Sequence, residues 1–467
     1  MKWFSPKISH EGNWSFVDKT VNQEEYPRML RELACQFIYL VAGMNFEKEY
    51  KMIRRSNAQD FLEKIVLHAY RNVPYYREVF RKAGIVKNGI LHSTDFEKIP
   101  ILTKETLWKR GGDLVSRDYG TRKWYYNATS GSTGENVRFI QDRTFNKWVF
   151  VTTKYYYEDI INVKEAFAKK ILLWFRPQNN LGTSFGVWTN RFNSTLRNQK
   201  FLDPRRLAED TMADYIKIIN SYKPEIIRGY ANALYEICRY IEKRKIPIHS
   251  PKLVVSSAET LHDFMREKIE AILGAKVFDF YGSREVDGIA GECRRGLYHT
   301  FSFNNYIEVL DDNNRNVNEG ENGKVIITTL HNYSMPLIRY EVGDMAILGP
   351  EKCMCGNHLQ TLKNITGRTT SFFRREDGTL INGLFFTRIL QEIEWIKQFR
   401  IIQEDYKKIR IIVVLKYKTL VKSEKREIEK IIRMVMGKDC DIDWDSVREI
   451  PRTRTGKYLH VQSLIST

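Results

Sequence analysis

Between two β-prone runs, Trp124-Tyr125-Tyr126 and Val137-Arg138-Phe139-Ile140, the chain places Thr129, Ser130, Gly131, Ser132, Thr133 and Gly134. Small residues let successive backbone N–H groups face one point, and the hydroxyls add donors, which is the chemistry of a phosphate cradle. A Ser/Gly turn between strands is also common on turn statistics alone. The stretch is not a Walker loop, because no Lys-Ser/Thr pair follows and a strand rather than a helix comes next. Further along, Phe280-Tyr281-Gly282-Ser283-Arg284-Glu285 offers a ring that can stack on a base and a carboxylate that can hold Mg²⁺ against phosphates. Met335 to Asp344 ends in a Gly343-Asp344 turn able to aim a carboxylate at ribose hydroxyls, or simply to face solvent. Pro451-Arg452-Thr453-Arg454-Thr455-Gly456-Lys457 is a glycine-hinged loop with one lysine, a type of segment that is otherwise a solvated tail.

A second set of residues suits a metal. Cys353 and Cys355 flank Met354 and precede Gly356, and Cys293 lies six residues before His299. Three sulfurs and one imidazole match tetrahedral structural zinc, and four side-chain ligands would leave no position for a catalytic water. His358 is a rival ligand, and unrelated buried thiols are the plain alternative.

The elements that must carry these groups alternate in type. Roughly the first hundred residues read as helix, with Phe61, Leu62, Ile65, Val66 and Ala69 at helical spacing until Pro74 breaks the pattern. From about 120 to 345, apolar runs at 171–175, 225–230, 252–256 and 276–280 alternate with helical patterns, one with Leu234, Ile237, Cys238 and Ile241 on a single face and one at about 263–273 closed by Gly274. Strand, helix, strand predicts an α/β fold with parallel sheets flanked by helices. Ligands in such sheets gather beyond the carboxyl ends of the strands, here Ser257-Ala258-Glu259 and Tyr281-Gly282-Ser283. The strand Ile409–Leu415 and the helix 427–436 predict a separate small α+β unit, with a boundary near Gly367. This gives a large N-terminal domain, 1–366, and a small C-terminal lid, 367–467.

With 467 residues, 42% hydrophobic and 28% charged, the chain is long enough to bury a core without disulfides or metal. Its net charge of +18 draws polyanions, or only reflects a well-solvated surface. The basic residues form no arm and the aromatics no RNA platform, so no nucleic acid is expected. The early apolar run 37–42 falls short of a bilayer span, although with Arg28, Arg31 and Lys48 nearby it could rest on a membrane surface. The first residues lack a signal-peptide pattern, and a cytoplasmic protein with reduced thiols is expected.

Taken in order, these segments resemble the adenylate-forming superfamily of acyl-CoA ligases. The closer likeness is to its phenylacetate–CoA ligase branch, including the members encoded in capsular-polysaccharide clusters. Thr129–Gly134 resembles the phosphate loop T-S-G-S-T-G, Tyr281–Glu285 the Y-G-x-x-E segment, Met335–Asp344 the M-P-L-I-R-Y-x-x-G-D segment, Gly367-Arg368 the hinge and Pro451–Lys457 the P-R-T-x-x-G-K tail. The resemblance implies that Thr129, Ser130, Gly131, Ser132, Thr133 and Gly134 wrap the β- and γ-phosphates of ATP. It implies that Tyr281 stacks on adenine beside Ala258 and Glu259, with Gly282 and Ser283 in the same segment. It also implies that Glu285 ligates Mg²⁺, Asp344 and Arg368 bind the ribose, and Lys457 bridges the substrate carboxylate and the α-phosphate. The Cys293, His299, Cys353 and Cys355 cluster would be structural, as in that branch.

Three departures stand out. Glu135-Asn136 follow the phosphate loop where Lys-Pro is usual, Thr369-Thr370-Ser371 replace paired aspartates after the hinge, and Arg375–Thr379 is closer to the capsule-cluster form. The expected reaction joins a carboxylic acid to AMP and releases pyrophosphate, then passes the acyl group to coenzyme A or to an amine. The rivals are an amide-forming acid–amine ligase without coenzyme A, a phosphotransferase yielding ADP, and a non-catalytic nucleotide-binding homologue. Trp174, Phe175 and Tyr230 could line the acid pocket, with aryl, sugar and amino acids all open. Lysine suits the role expected of Lys457, a point charge on a long stem aimed at developing negative charge. Lys457→Ala should therefore lower adenylation by about 10²-fold or more while leaving ATP binding nearly intact; unaltered turnover would remove the assignment.

Overall fold

The computed structural model describes residues 46–55, 58–87, 90–91, 93–128, 138–165, 168–174, 197–204, 207, 209–368, 372–377, 379–391, 393–416, 421–451 and 460–465. The expected phosphate loop Thr129–Gly134, Phe175 and Lys457 lie outside these residues. The described chain opens with the helices Phe46–Arg55, Ala58–Asn72 and Pro74–Lys82. The second buries Phe61, Leu62, Ile65, Val66 and Ala69, as their spacing predicts. Pro74 does not break the helical region. It opens the third helix from the first turn, where its missing N–H forfeits no hydrogen bond. Two short antiparallel strands, β1 (Val86–Lys87) and β2 (Ile90–Leu91), follow.

The strands β3 (Trp124–Ala128) and β4 (Arg138–Asp142) pair antiparallel on either side of the Ser/Gly segment. Asp142 then caps the helix Arg143–Tyr155, accepting from the N–H groups of Thr144 and Phe145.

Eleven strands form the main sheet: β5 (Lys170–Leu173), β6 (Gln199–Leu202), β7 (Ile226–Tyr230), β8 (Leu253–Ser257), β9 (Val277–Ser283), β10 (Asp287–Glu292), β11 (Tyr298–Thr300), β12 (Asn305–Leu310), β13 (Asn322–Thr329), β14 (Tyr340–Leu348) and β15 (Thr361–Arg368). Their order is β12-β13-β14-β15-β11-β10-β9-β8-β7-β5-β6. From β6 through β9 every pair is parallel, and beyond β9 every pair is antiparallel. The helices Glu209–Tyr222, Ala231–Arg244 and Asp263–Leu273 connect the parallel strands, the last closing at Gly274 in a left-handed conformation. Alternate residues of these strands serve two cores. Ile227, Val254 and Val277 pack with Leu234, Ile237 and Ile269, while Ile226, Val255, Phe278 and Phe280 face the N-terminal helices. That two-sided burial is why the parallel strands read as continuous apolar runs.

The C-terminal portion contains β16 (Phe372–Arg374), β17 (Leu380–Asn382), the helix Leu384–Gln391, β18 (Ile396–Asp405), β19 (Lys408–Leu415), the helix Lys422–Met436, β20 (Asp441–Ser446) and β21 (Val461–Ser463). Four of these strands make a sheet of order β20-β19-β18-β21, with a core of Phe386, Trp395, Ile401, Ile411, Ile428 and Ile432. The helix starts at Lys422, ahead of the apolar spacing that revealed it, because its first turn is polar and solvated. The protein is thus an α/β molecule with a large mixed sheet, parallel from β6 to β9, flanked by helices. No helix among the described residues is long and apolar enough to cross a membrane.

Arg339 fixes where β14 begins. Its guanidinium is almost fully buried and makes a two-pronged pair with Glu308 of β12, at 3.1 Å from Nε and 3.0 Å from Nη2. It also donates to the carbonyls of Glu97 and Ile99. The arginine of the M-P-L-I-R-Y motif is therefore an anchor that joins three segments and sets the approach to Asp344. Removing one partner of a buried pair strands the other's charge, at a cost of about 3–5 kcal/mol. Glu308→Ala should lower stability by that amount in urea denaturation, and a loss below about 1 kcal/mol would show that the pair carries little.

Candidate active site

The parallel strands end together. Register places Tyr230 and Ser257, at the carboxyl ends of β7 and β8, side by side with Phe280, the last β9 residue to pair with β8. Just beyond them lie Trp174, Ala258, Glu259 and Tyr281. The Trp174 ring meets Tyr230 edge-on at 4.9 Å. Ala258 adopts a left-handed conformation with φ +69, a strained setting for a residue with a Cβ. The Glu259 carboxylate accepts from the Asn232 N–H at 3.0 Å, at the start of the helix Ala231–Arg244, where the helix dipole favours an anion. Across the same place, Asn232 Oδ1 lies 3.3 Å from Nε2 of His460, which brings the C-terminal portion to these strand ends.

The Tyr281–Glu285 segment does not begin as a turn: β9 runs through Ser283, and the chain then reverses into β10. Gly282 is required by crowding, since a Cβ there would sit 2.5 Å from the Asp287 carbonyl. The reversal is tied to the β3–β4 hairpin. Gln141 Nε2 donates to the carbonyls of Arg284 at 3.0 Å and Glu285 at 3.2 Å, and Arg284 Nη1 donates to the Ala128 carbonyl at 3.1 Å. The strand residue that leads into the Ser/Gly segment is thus fixed beside Glu285.

The expected Gly343-Asp344 turn is a bulge inside β14. Pairing with β13 jumps from Ile326↔Glu341 to Lys324↔Met345, so Val342, Gly343 and Asp344 stand against Val325. Gly343 takes φ +86, which glycine adopts without strain. The bulge turns Asp344 toward β9, where the Tyr281 hydroxyl donates to its Oδ2 at 2.8 Å. On the other side Asp344 pairs in register with Arg368. The residues expected to bind base and ribose are therefore adjacent, and two of them are bonded to each other. Composition and motif gave no sign of that bond, nor of the tethering by Gln141.

Another group missed in the sequence lies within β9. Asp279 is buried and accepts from the Tyr298 hydroxyl at 2.9 Å, and its N–H donates to Glu292, which pairs with Arg266 at 2.8 Å. Burial, reinforced by the Glu292 charge, pushes the Asp279 carboxyl up to about 7.

The cysteine set converges as its spacing suggests. The ligand atoms of Cys293, His299, Cys353 and Cys355 all lie within 4.8 Å of one another. Cys293 Sγ is 3.8 Å from Cys353 Sγ, and Cys355 Sγ is 3.1 Å from His299 Nε2. His299 Nδ1 lies 3.3 Å from the Leu359 carbonyl, which leaves Nε2 for the cluster. His358 is exposed and is not part of the group. Gly356 has φ +86, the turn that lets the loop fold over the sulfurs. Burial pushes the Cys293 thiol up to about 12, a cost that a cation among the sulfurs would offset. The donor set and its closure fit tetrahedral zinc.

The chain has relatives along most of its length. Residues 373–463 match the family described as CapK C-terminal domain. Protein CapK of Staphylococcus aureus is 22% identical over 447 residues, which span 95% of this chain and 93% of that one. Phenylacetate-coenzyme A ligase of Thermus thermophilus is 27% identical over 350 residues, 71% of this chain and 72% of that one. Among solved structures, 2-hydroxyisobutyryl-CoA ligase in the postadenylation state superimposes with a TM-score of 0.66 at 17% identity, covering 87% of this chain and 88% of the other. The resemblance read from the motifs is borne out by these relatives, and the fold is that of the adenylate-forming ligases. We expect purified protein to carry about one zinc per chain by elemental analysis, and Cys355→Ser to lose most of it; retention of full metal content in that variant would break the assignment.

Proposed function

We propose that the protein is an adenylate-forming ligase that activates a carboxylic acid with ATP. The observation that carries this reading is convergence. The hairpin bracketing Thr129–Gly134, the Tyr281–Glu285 segment, the Asp344 bulge and Arg368 meet beyond one end of the parallel strands. Relatives that make coenzyme A thioesters support the same reading.

In this scheme Thr129, Ser130, Gly131, Ser132, Thr133 and Gly134 hold the β- and γ-phosphates through backbone N–H and hydroxyl donors. Tyr281 lies against the adenine with Ala258 and Glu259, and Asp344 and Arg368 receive the ribose hydroxyls. Glu285 would hold Mg²⁺, which supplies charge neutralisation to the phosphates when bound. An oxygen of the substrate carboxylate attacks the α-phosphorus in line. The bond to the bridging oxygen breaks and pyrophosphate leaves. Lys457 offsets the negative charge that gathers on the α-phosphate oxygens. The acyl group then passes to coenzyme A, the acceptor of the named relatives, with an amine as the other candidate. The chain divides into a large domain of residues 1–366 and a lid of 367–467 that supplies Lys457. Zinc at Cys293, His299, Cys353 and Cys355 is structural. Likeness to Protein CapK is in keeping with a place in capsular or other surface-polysaccharide synthesis, and we place the reaction in the cytoplasm.

Exchange of labelled pyrophosphate into ATP tests the scheme directly. A panel of aryl, hydroxy, amino and sugar acids should contain at least one that drives exchange. Formation of ADP with no acid-dependent exchange would replace the ligase by a phosphotransferase. ATP binding with neither product would mark a non-catalytic homologue.

A further inference from the structure

Arg228 sits on β7, two positions before Tyr230 and on the same face. That face belongs to the side of the sheet where Tyr156, Tyr157 and Phe280 pack. Its guanidinium carbon lies 4.5 Å from the centre of the Phe280 ring and 5.5 Å from that of Trp174. Trp174 and Tyr230 are the two described rings expected to border the acid. Tyr157 and Asp287 also face the cation, the latter from the first position of β10.

A cation in such a place needs acceptors, and among the described residues its set is incomplete: the Tyr157 hydroxyl is near enough to bond it, but Nε meets nothing. Arg228 takes part in none of the ion pairs among the described residues, not even with Asp287. Its Nε is buried and has no hydrogen-bond partner. Ring faces stabilise the charge but leave that N–H unmet, and a buried donor without an acceptor costs more than the hydrogen bond is worth when made. Burial holds the Asp287 carboxyl above its ordinary range, which weakens both its hold on Arg228 and its repulsion of an incoming anion. The planar fork of arginine matches a carboxylate in two places at once.

We infer that Arg228 selects the acid: it receives a second carboxylate of the substrate, distinct from the one that is activated, so that the preferred substrates are dicarboxylic acids. This rests on the adenylation reading above and goes beyond it by naming a substrate class. Arg228 is a specificity residue in this account and takes no part in attack at phosphorus.

Acid-dependent pyrophosphate release on matched pairs tests the inference: glutarate and adipate against their monomethyl esters, and 4-carboxyphenylacetate against phenylacetate. In the wild type, kcat/KM should favour each best-fitting diacid over its partner by about tenfold or more, chiefly through KM. Arg228→Met should abolish or reverse that preference while still activating the apolar partner. Arg228→Lys, which keeps the charge and the stem, should recover part of it and guards against a variant that fails to fold. Equal use of diacids and half-esters by the wild type, or an unchanged preference in Arg228→Met, overturns the inference and leaves the ligase standing. A wild type that releases no pyrophosphate with any acid overturns the adenylation reading itself.

Discussion

A single buried carboxylate holds the candidate site together. Asp142, fully shielded from solvent, spends one oxygen on the N–H groups of Thr144 and Phe145 and the other on those of Tyr333 and Ser334, at 2.9 to 3.0 Å. The first pair starts the helix that follows the hairpin. The second pair holds the strand-to-strand connection leading to Met335 and β14. Four backbone donors aimed at one anion are a strong arrangement in a low-dielectric interior. Met335 and Asn332 add to the join, with Ile140 N–H reaching the Met335 sulfur and its carbonyl receiving Asn332 Nδ2.

Much of the architecture was legible in the sequence because burial on two faces leaves an unmistakable imprint. The runs at 226–230, 253–257 and 277–280 admit few polar residues, and the helices between them keep a clean apolar stripe. The cysteine set was legible for a different reason: few residue types bind metal, and a close thiol pair with a following glycine is rare by chance. The sequence reading placed His299 in the set with His358 as a rival, and the coordinates remove the rival, because the His299 ring is shielded and held by the Leu359 carbonyl while His358 is exposed.

Other features were hidden because they depend on partners remote in the chain. A glycine followed by an aspartate has the signature of a turn, yet Gly343-Asp344 is a bulge, a state decided by pairing with β13 and β15. Pro74 punctuated the helical pattern as expected but marks a beginning, since the amide it lacks would have been unpaired in a first turn anyway. Arg339 looked like part of a nucleotide motif, and its pairing with Glu308 makes it architectural. Glu259, expected against the base, meets the Asn232 amide.

The change of strand direction at β9 has a further bearing on how the molecule assembles. Beyond it, β9 to β11 and β12 to β14 pair with neighbours in sequence, through connections of three to eleven residues. The β3–β4 hairpin has no such shortcut: Asp142 must find Tyr333 across 191 positions, and Tyr76 must find Ile338 across 262. Loop closures of that length are slow and contribute little until both ends are in place. The join between the hairpin and the rest of the candidate site accordingly rests on the kind of contact whose loop is slowest to close.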